Sequence, residues 1–202
     1  VRTPFRESQA LIRTLAGHID IVLTCAISPD GKWIVSGGQD RTIKIWDAAN
    51  GRELNTLKSW SSEVNGCAIS PDGRWIVSAG NDRTLKIWDT ANGRKLYTLL
   101  GHEEWVKGCA ISPNGGWIVS ASEDRTLKIW EATSGEEELY TLIGHTGGVT
   151  ACAISPDGRW IVSASCDKTL KIWETASGRE LHTLTGHTGD VNACAFSPDG
   201  KR

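Results

Sequence analysis

An all-β array of four-stranded units is the fold class this sequence predicts, and three observations predict it. The stretch Ser70–Asp89 (SPDGRWIVSAGNDRTLKIWD) returns as Ser28–Asp47, Ser112–Glu131 and Ser155–Glu174, and a fifth copy opens at Ser197. The copies begin 42, 42, 43 and 42 residues apart, a fixed period in the range of about 20 to 50 residues that marks stacked supersecondary units. Fidelity is the second observation: Ser70–Leu99 and Ser155–Leu184 differ at seven of thirty positions, so neighbouring units must fold alike. The third is texture. Short β-branched and aromatic runs sit between turn residues, and no 3.6-residue periodicity separates them, which excludes helical repeats.

The second unit shows the elements in order. Val64–Ile69 reads as a first strand, and Ser70-Pro71-Asp72-Gly73 as a turn in which Pro fixes φ and Gly takes a conformation other residues resist. Trp75–Ala79 is a second strand, rich in residues that pack on a pleated surface. Asn81-Asp82-Arg83 turns tightly into Thr84–Trp88, where polar and apolar residues alternate. Thr90-Ala91-Asn92-Gly93 turns again, into a fourth strand at Lys95–Leu99. The predicted units run over about 17–58, 59–100, 101–143 and 144–185, with a partial unit at 186–202. Residues 1–9 read as a polar linker, and the array occupies 10–202. Ile12–Leu15 matches the fourth-strand segments Leu54–Leu57, Leu96–Leu99 and Leu181–Leu184, so it reads as an orphan strand. Val191–Phe196 reads as a first strand without its successors.

Bulk properties narrow the function classes. A net charge of −2 and a pI near 6.2 argue against nucleic acid or an anionic membrane as partner. No apolar run approaches the roughly 18–20 residues that a membrane helix needs, and the start lacks a signal peptide's apolar core. The chain contains no Met, so Val1 is expected to follow processing or excision from a longer protein. Cys25, Cys67, Cys109, Cys152 and Cys194 share one repeat position, and Cys166 stands apart in a turn. Equivalent positions point the same way, which disfavours disulfides and favours a small buried hydrophobe. No C-x-x-C pair, phosphate-binding loop or nucleophile elbow is present. A reduced, cytoplasmic chain without metal or cofactor is the expectation.

The segments Gly-His, Ser-Pro-Asp-Gly and Asp-[Arg/Lys]-Thr-[Ile/Leu]-Lys-Ile-Trp-[Asp/Glu], in that order, resemble the WD-repeat family, in its highly repetitive, prokaryotic type, from about residue 10 onward. The resemblance implies a β-propeller, with twisted four-stranded blades set radially about a channel and both faces of each sheet buried. It also implies a buried His–Ser–Asp–Trp tetrad in each blade: His18, Ser36, Asp40 and Trp46; His102, Ser120, Asp124 and Trp130; His145, Ser163, Asp167 and Trp173. The second unit keeps Ser78, Asp82 and Trp88, but Lys58-Ser59-Trp60-Ser61 replaces the histidine segment. A weaker blade or a substituted contact is expected there. Read without the resemblance, His, Ser and Asp also suggest a hydrolytic triad. A hydrolase, however, needs one activated nucleophile in a cleft, and this set is repeated in unit after unit.

Residues that differ between equivalent positions point to a partner surface. Ahead of the first strands these are Glu63, Glu103, Glu104 and Trp105, with Trp60 nearby; before the turn aspartates they are Gln39, Asn81, Glu123 and Cys166. In propellers of the family these loops share one face, so an acidic rim around aromatic anchors would suit a basic peptide or protein segment. The alternative is an ordinary solvated loop surface. Three functions follow: a non-catalytic interaction scaffold or sensor within a larger signalling protein, a self-assembly module whose open edges form homo-oligomers, and a hydrolase. The four complete units and the partial strands at both ends leave ring closure by one chain in question.

Overall fold

Each Ser-Pro-Asp-Gly turn is closed by its own side chains. In the first, the Ser28 hydroxyl donates to Asp30 (2.8 Å) and accepts from the Trp33 amide (3.0 Å), while the Gly31 amide donates to the Ser28 carbonyl. Gly31 sits at φ 69°, and its counterparts Gly73, Gly115, Gly158 and Gly200 lie between 67° and 73°, a left-handed region where a Cβ is costly. This turn delivers the chain from a first strand into an antiparallel second. Repeated four times, the connections give β1 (Val22–Ile27), β2 (Trp33–Gly38), β3 (Thr42–Asp47) and β4 (Glu53–Lys58); β5 (Val64–Ile69), β6 (Trp75–Gly80), β7 (Leu85–Asp89) and β8 (Lys95–Leu99); β9 (Val106–Ile111), β10 (Trp117–Ser122), β11 (Thr126–Glu131) and β12 (Glu138–Ile143); and β13 (Val149–Ile154), β14 (Trp160–Ser165), β15 (Leu170–Glu174) and β16 (Glu180–Leu184). The computed structural model describes residues 13–59, 62–132 and 138–200.

The strands form four separate four-stranded antiparallel meanders, each in simple sequence order. The first strands β1, β5, β9 and β13 lie side by side, and small residues let them converge. A Cβ on Gly66 would stand 3.0 Å from the Gly108 Cα, and one on Gly108 3.4 Å from the Ala151 Cα. The core lies between sheets. Val35, Ile43, Ile45 and Leu57 of the first pack on Val64, Cys67, Ile76 and Trp88 of the second. Val77, Ala79, Leu85, Ile87 and Leu99 then meet Val106, Ile118 and Trp130 of the third. Val119, Ala121, Leu127, Ile129 and Leu142 meet Val149, Ile161 and Trp173 of the fourth. Two buried faces per sheet explain why apolar residues are not confined to alternate positions.

Several predicted boundaries shift. The third strand runs on to Asp47, Asp89, Glu131 or Glu174, and the second strand extends to Gly80 in the second unit. A bulge between Ile45 and Trp46 recurs at the same place in the other three sheets, which no residue type in the sequence announces. The terminal strands are corrected. Arg13–Leu15 is not a strand, and Ile12 lies outside the described residues. Val191–Phe196 is not a strand either, because its hydrogen-bonding neighbour would be a second strand of its own unit. The described residues hold no helix long and apolar enough to cross a membrane.

Candidate functional site

The repeated His, Ser, Asp and Trp come together as one hydrogen-bonded chain in three of the four sheets. In the third, the Trp130 Nε1–H donates to the Ser120 Oγ (2.8 Å), which lies 2.7 Å from the His102 Nε2; the His102 Nδ1 lies 2.6 Å from the Asp124 Oδ2. The indole N–H donates to the hydroxyl, and the two ring nitrogens of His102 bridge the Ser120 hydroxyl and the Asp124 carboxylate. Asp124 also accepts from the Glu103 amide (3.1 Å) and from the Thr126 amide and hydroxyl (2.9 and 2.6 Å). The same geometry joins His18, Ser36, Asp40 and Trp46 and His145, Ser163, Asp167 and Trp173. The carboxylate thus ties the loop before the first strand to the start of the third.

The connectivity resembles a hydrolytic triad, but access does not. Ser120 and Ser163 are fully buried and Ser36 is 7% exposed, and each hydroxyl oxygen already accepts an indole N–H. A substrate carbonyl cannot approach it. The arrangement is a structural brace.

Charge is settled inside the brace. For Asp124 and Asp167 burial is the largest influence and favours the neutral acid, yet it is overcome by hydrogen bonds from His102 and Thr126 in one case and Thr169 and His145 in the other. Both stay far below the usual carboxylate range. Burial lowers the His145 pKa, and Asp167 only partly offsets it. The signs agree. A depressed carboxylate contributes stability that is present above its unfolded value of about 3.9 and is lost as pH falls through its folded value. A depressed histidine contributes stability that is present above about 6.5 and is likewise lost on acidification. The urea midpoint should therefore begin to fall below about pH 6.5 and fall more steeply below about pH 4. A midpoint that rises between pH 6.5 and 5 would contradict a neutral His145.

The second sheet substitutes its missing imidazole. In the other sheets a third-strand lysine points to a fourth-strand glutamate: Lys44 to Glu53 (2.8 Å), Lys128 to Glu138 (2.7 Å) and Lys171 to Glu180 (2.9 Å). The second sheet carries Lys95 where those glutamates stand. Its Lys86 turns the other way, donating to the Asp82 Oδ2 and to the Thr84 Oγ1 (2.9 Å). The Trp88 Nε1–H still donates to Ser78 (2.9 Å), whose hydroxyl points to the Lys86 carbonyl at 3.5 Å, as Ser120 and Ser163 do to those of Lys128 and Lys171. An ammonium thus takes the histidine's role toward Asp82. The sequence carries two exchanges within one unit, a lost histidine and a Glu-to-Lys change, but does not say that they meet at Lys86. The glutamates Glu53, Glu138 and Glu180 were not singled out by the sequence reading.

The variable residues gather on the face where the first strands begin. The amides of Gln39, Asn81, Glu123 and Cys166 donate to the carbonyls of Ile21, Glu63, Trp105 and Gly148, which sets the two variable loop sets side by side. Glu103, Glu104 and Glu123 line one cleft of about 790 Å³. Arg83 and Arg125 line it too, so the rim carries both signs of charge. Trp105 is 47% exposed, and the Lys107 Nζ lies 5.8 Å from its ring and 3.8 Å from Glu123. Asn81 bonds Asn65 (2.6 Å) and Glu63 (3.0 Å). Trp60 lies outside the described residues. Sequence reasoning missed a set of variable positions: Leu23, Asn65, Lys107, Thr150 and Asn192, each second in its Val-led segment, line a cavity of about 320 Å³ with Glu123 and Cys166. Their neighbours in the strand scarcely vary, and that contrast could have revealed them.

All six cysteines are free thiols. Burial pushes Cys67 up to about 12 and holds Cys109 and Cys152 well above the ordinary thiol value, as befits small core residues.

Radial four-stranded meanders packed face to face, with a tetrad bracing the sheets, define a β-propeller array. The family model for the WD domain, G-beta repeat, matches residues 9–47, 51–89, 93–131, 136–174 and 178–202. The chain belongs to the WD-repeat family. Among its relatives, the transcriptional repressor tup12 of Schizosaccharomyces pombe is 42% identical over 53 residues, 26% of this chain and 9% of the relative. The ribosome biogenesis protein BOP1 homolog of Drosophila grimshawi is 39% identical over 56 residues, 28% of this chain and 7% of the relative. The small ribosomal subunit protein RACK1z of Arabidopsis thaliana is 48% identical over 46 residues, 23% of this chain and 14% of the relative. Each match spans a small part of the relative's length.

Proposed function

We propose that the chain is a non-catalytic protein-interaction module that receives its partner on the loop face around Glu103, Glu104, Trp105 and Glu123. The observation that carries this reading is an asymmetry of variation. Residues of the tetrads and sheet interfaces are nearly constant from unit to unit, whereas this face differs in every unit and exposes Trp105 at its rim. Family membership supports it, since WD repeats generally serve as protein-binding scaffolds, and the relatives named above are a repressor and ribosome-associated proteins. Placement within a larger intracellular signalling protein, in the cytoplasm, completes the proposal.

The partner segment is basic. Glu103, Glu104 and Glu123 outnumber Arg83 and Arg125 in one cleft and favour lysine or arginine, Trp105 offers a π-face to a cation, and Lys107 already occupies such a position. Peptides selected by display against the chain should be enriched in Lys and Arg and should weaken as salt rises. Their affinity should fall at least about tenfold for Glu103→Lys/Glu104→Lys/Trp105→Ala, one decade being 1.4 kcal/mol. Selected peptides that bind the variant equally well would place the partner surface elsewhere.

A further inference from the structure

Three exchanges confined to the third unit meet at one point of the loop face. No other unit carries an aromatic residue in the place of Trp105, a carboxylate in the place of Glu123 or a cation in the place of Lys107. The Lys107 Nζ lies 5.8 Å from the centre of the Trp105 ring and 3.8 Å from the Glu123 Oε1. An aromatic face on one side and a carboxylate on the other make a seat for one cation. The chain's own lysine sits in it.

The walls of this seat are fixed and its occupant is not. The Glu123 amide donates to the Trp105 carbonyl (2.9 Å), so the two walls are joined through the backbone. The Glu123 carboxylate rests on the bare backbone of the next unit, where a Cβ on Gly148 would collide with it. Lys107 is held more loosely. Its ammonium stops 3.8 Å from the carboxylate, beyond hydrogen-bond range, and its side chain is 31% exposed. The second unit shows the contrast. In the place of Lys107, the Asn65 amide donates to Asn81 (2.6 Å) and to the Val106 carbonyl (2.9 Å), and Asn81 donates to Glu63 (3.0 Å). Side chains at these three positions are locked there by short hydrogen bonds. In the third unit they meet through an exposed ion pair and a ring contact, both weak in water.

We propose, resting on the reading of a basic partner segment, that Lys107 is a built-in competitor for that segment. It fills the cation seat of the free chain, and a lysine or arginine of the partner enters by displacing it. The apparent affinity of the partner is then scaled by the fraction of molecules in which the seat stands empty. A cation that makes more contacts than a lone ammonium is favoured over Lys107. A guanidinium does so, since its plane stacks on an indole while its N–H groups pair with a carboxylate. The seat therefore prefers arginine to lysine, and removing the Lys107 charge opens it.

The test is calorimetric titration of the parent chain and of Lys107→Thr with display-selected basic peptides and with tetra-arginine amide. Threonine is the residue of the fourth unit at this position, Thr150, so the strand keeps its fold. Lys107→Thr should bind at least about fivefold more tightly than the parent. Arg125→Gln removes the same charge from the same cleft without emptying the seat, and its gain should be smaller. In a Trp105→Ala background the gain from Lys107→Thr should vanish. By NMR, the Lys107 ε-methylene protons should be shifted upfield by the indole in the free chain and should lose that shift on saturation with peptide. Peptides that need Glu103, Glu104 and Trp105 but bind Lys107→Thr no better than Arg125→Gln overturn the inference alone. So do Lys107 protons that stay shifted in the saturated complex. Peptides indifferent to Glu103→Lys/Glu104→Lys/Trp105→Ala overturn the partner surface, and the inference with it.

Discussion

Asp124→Ala should lower the stability of the chain by about 3–5 kcal/mol, among the largest effects of any single substitution in it. The carboxylate is 8% exposed and takes four hydrogen bonds, from the imidazole, two backbone amides and a threonine hydroxyl. Alanine leaves those donors without an acceptor inside the protein, and each unsatisfied buried group costs about 1–3 kcal/mol. The loss spreads along the chain of bonds, since His102 loses the carboxylate that orients its ring toward Ser120. For a chain of this length the melting temperature should drop by roughly 10 °C, at about 2–4 °C per kcal/mol. Glu103→Ala, at an exposed neighbouring side chain, should stay within about 0.5 kcal/mol of the parent. Circular dichroism melts of the two variants decide the matter. A drop below about 1 kcal/mol for Asp124→Ala would mean that the tetrad does not brace the sheets.

The second large effect belongs to a lysine that looks ordinary in the sequence. Lys86→Met should cost about 2–4 kcal/mol, whereas Lys128→Met at the equivalent position should cost about 1 kcal/mol or less. The two lysines sit on equivalent strands but serve different acids. Lys86 is 9% exposed at its side chain and faces Asp82 at 19%, so its removal takes an ammonium away from a largely buried carboxylate. Lys128 faces Glu138, which is 32% exposed and keeps its water when the lysine goes. Parallel urea titrations test the contrast. Equal losses would show that Lys86 is not the imidazole's substitute.

How far these features were legible depends on the range of the interaction. Turn chemistry, strand order and strand length are local, and Ser28, Asp30, Gly31 and Trp33 state them within six residues. The partners of three tetrads were legible because the resemblance names the residue types and each unit repeats the spacing. The fate of the second tetrad was not, because it turns on where Lys86 points. That is settled by competition between Asp82 and the position held by Lys95, two groups adjacent only once β7 and β8 pair. The variable loops were visible in the sequence, but the mixture of Arg83 and Arg125 with Glu103, Glu104 and Glu123 in one cleft was not. Those side chains come from neighbouring sheets, and no local pattern records which blades adjoin.

The sequence by itself determined a β array with one fold per unit and the set of positions free to vary, and the family resemblance added the histidine-to-tryptophan chain. Fixed period and near-identity leave no other way to bury both faces of each sheet. Only the tertiary structure decided that Lys86 turns to Asp82 in place of an imidazole and that Arg83 and Arg125 share a cleft with Glu103, Glu104 and Glu123. Each of these depends on the absence or presence of a neighbour in space, and a strand's neighbours are fixed by packing rather than by its own residues.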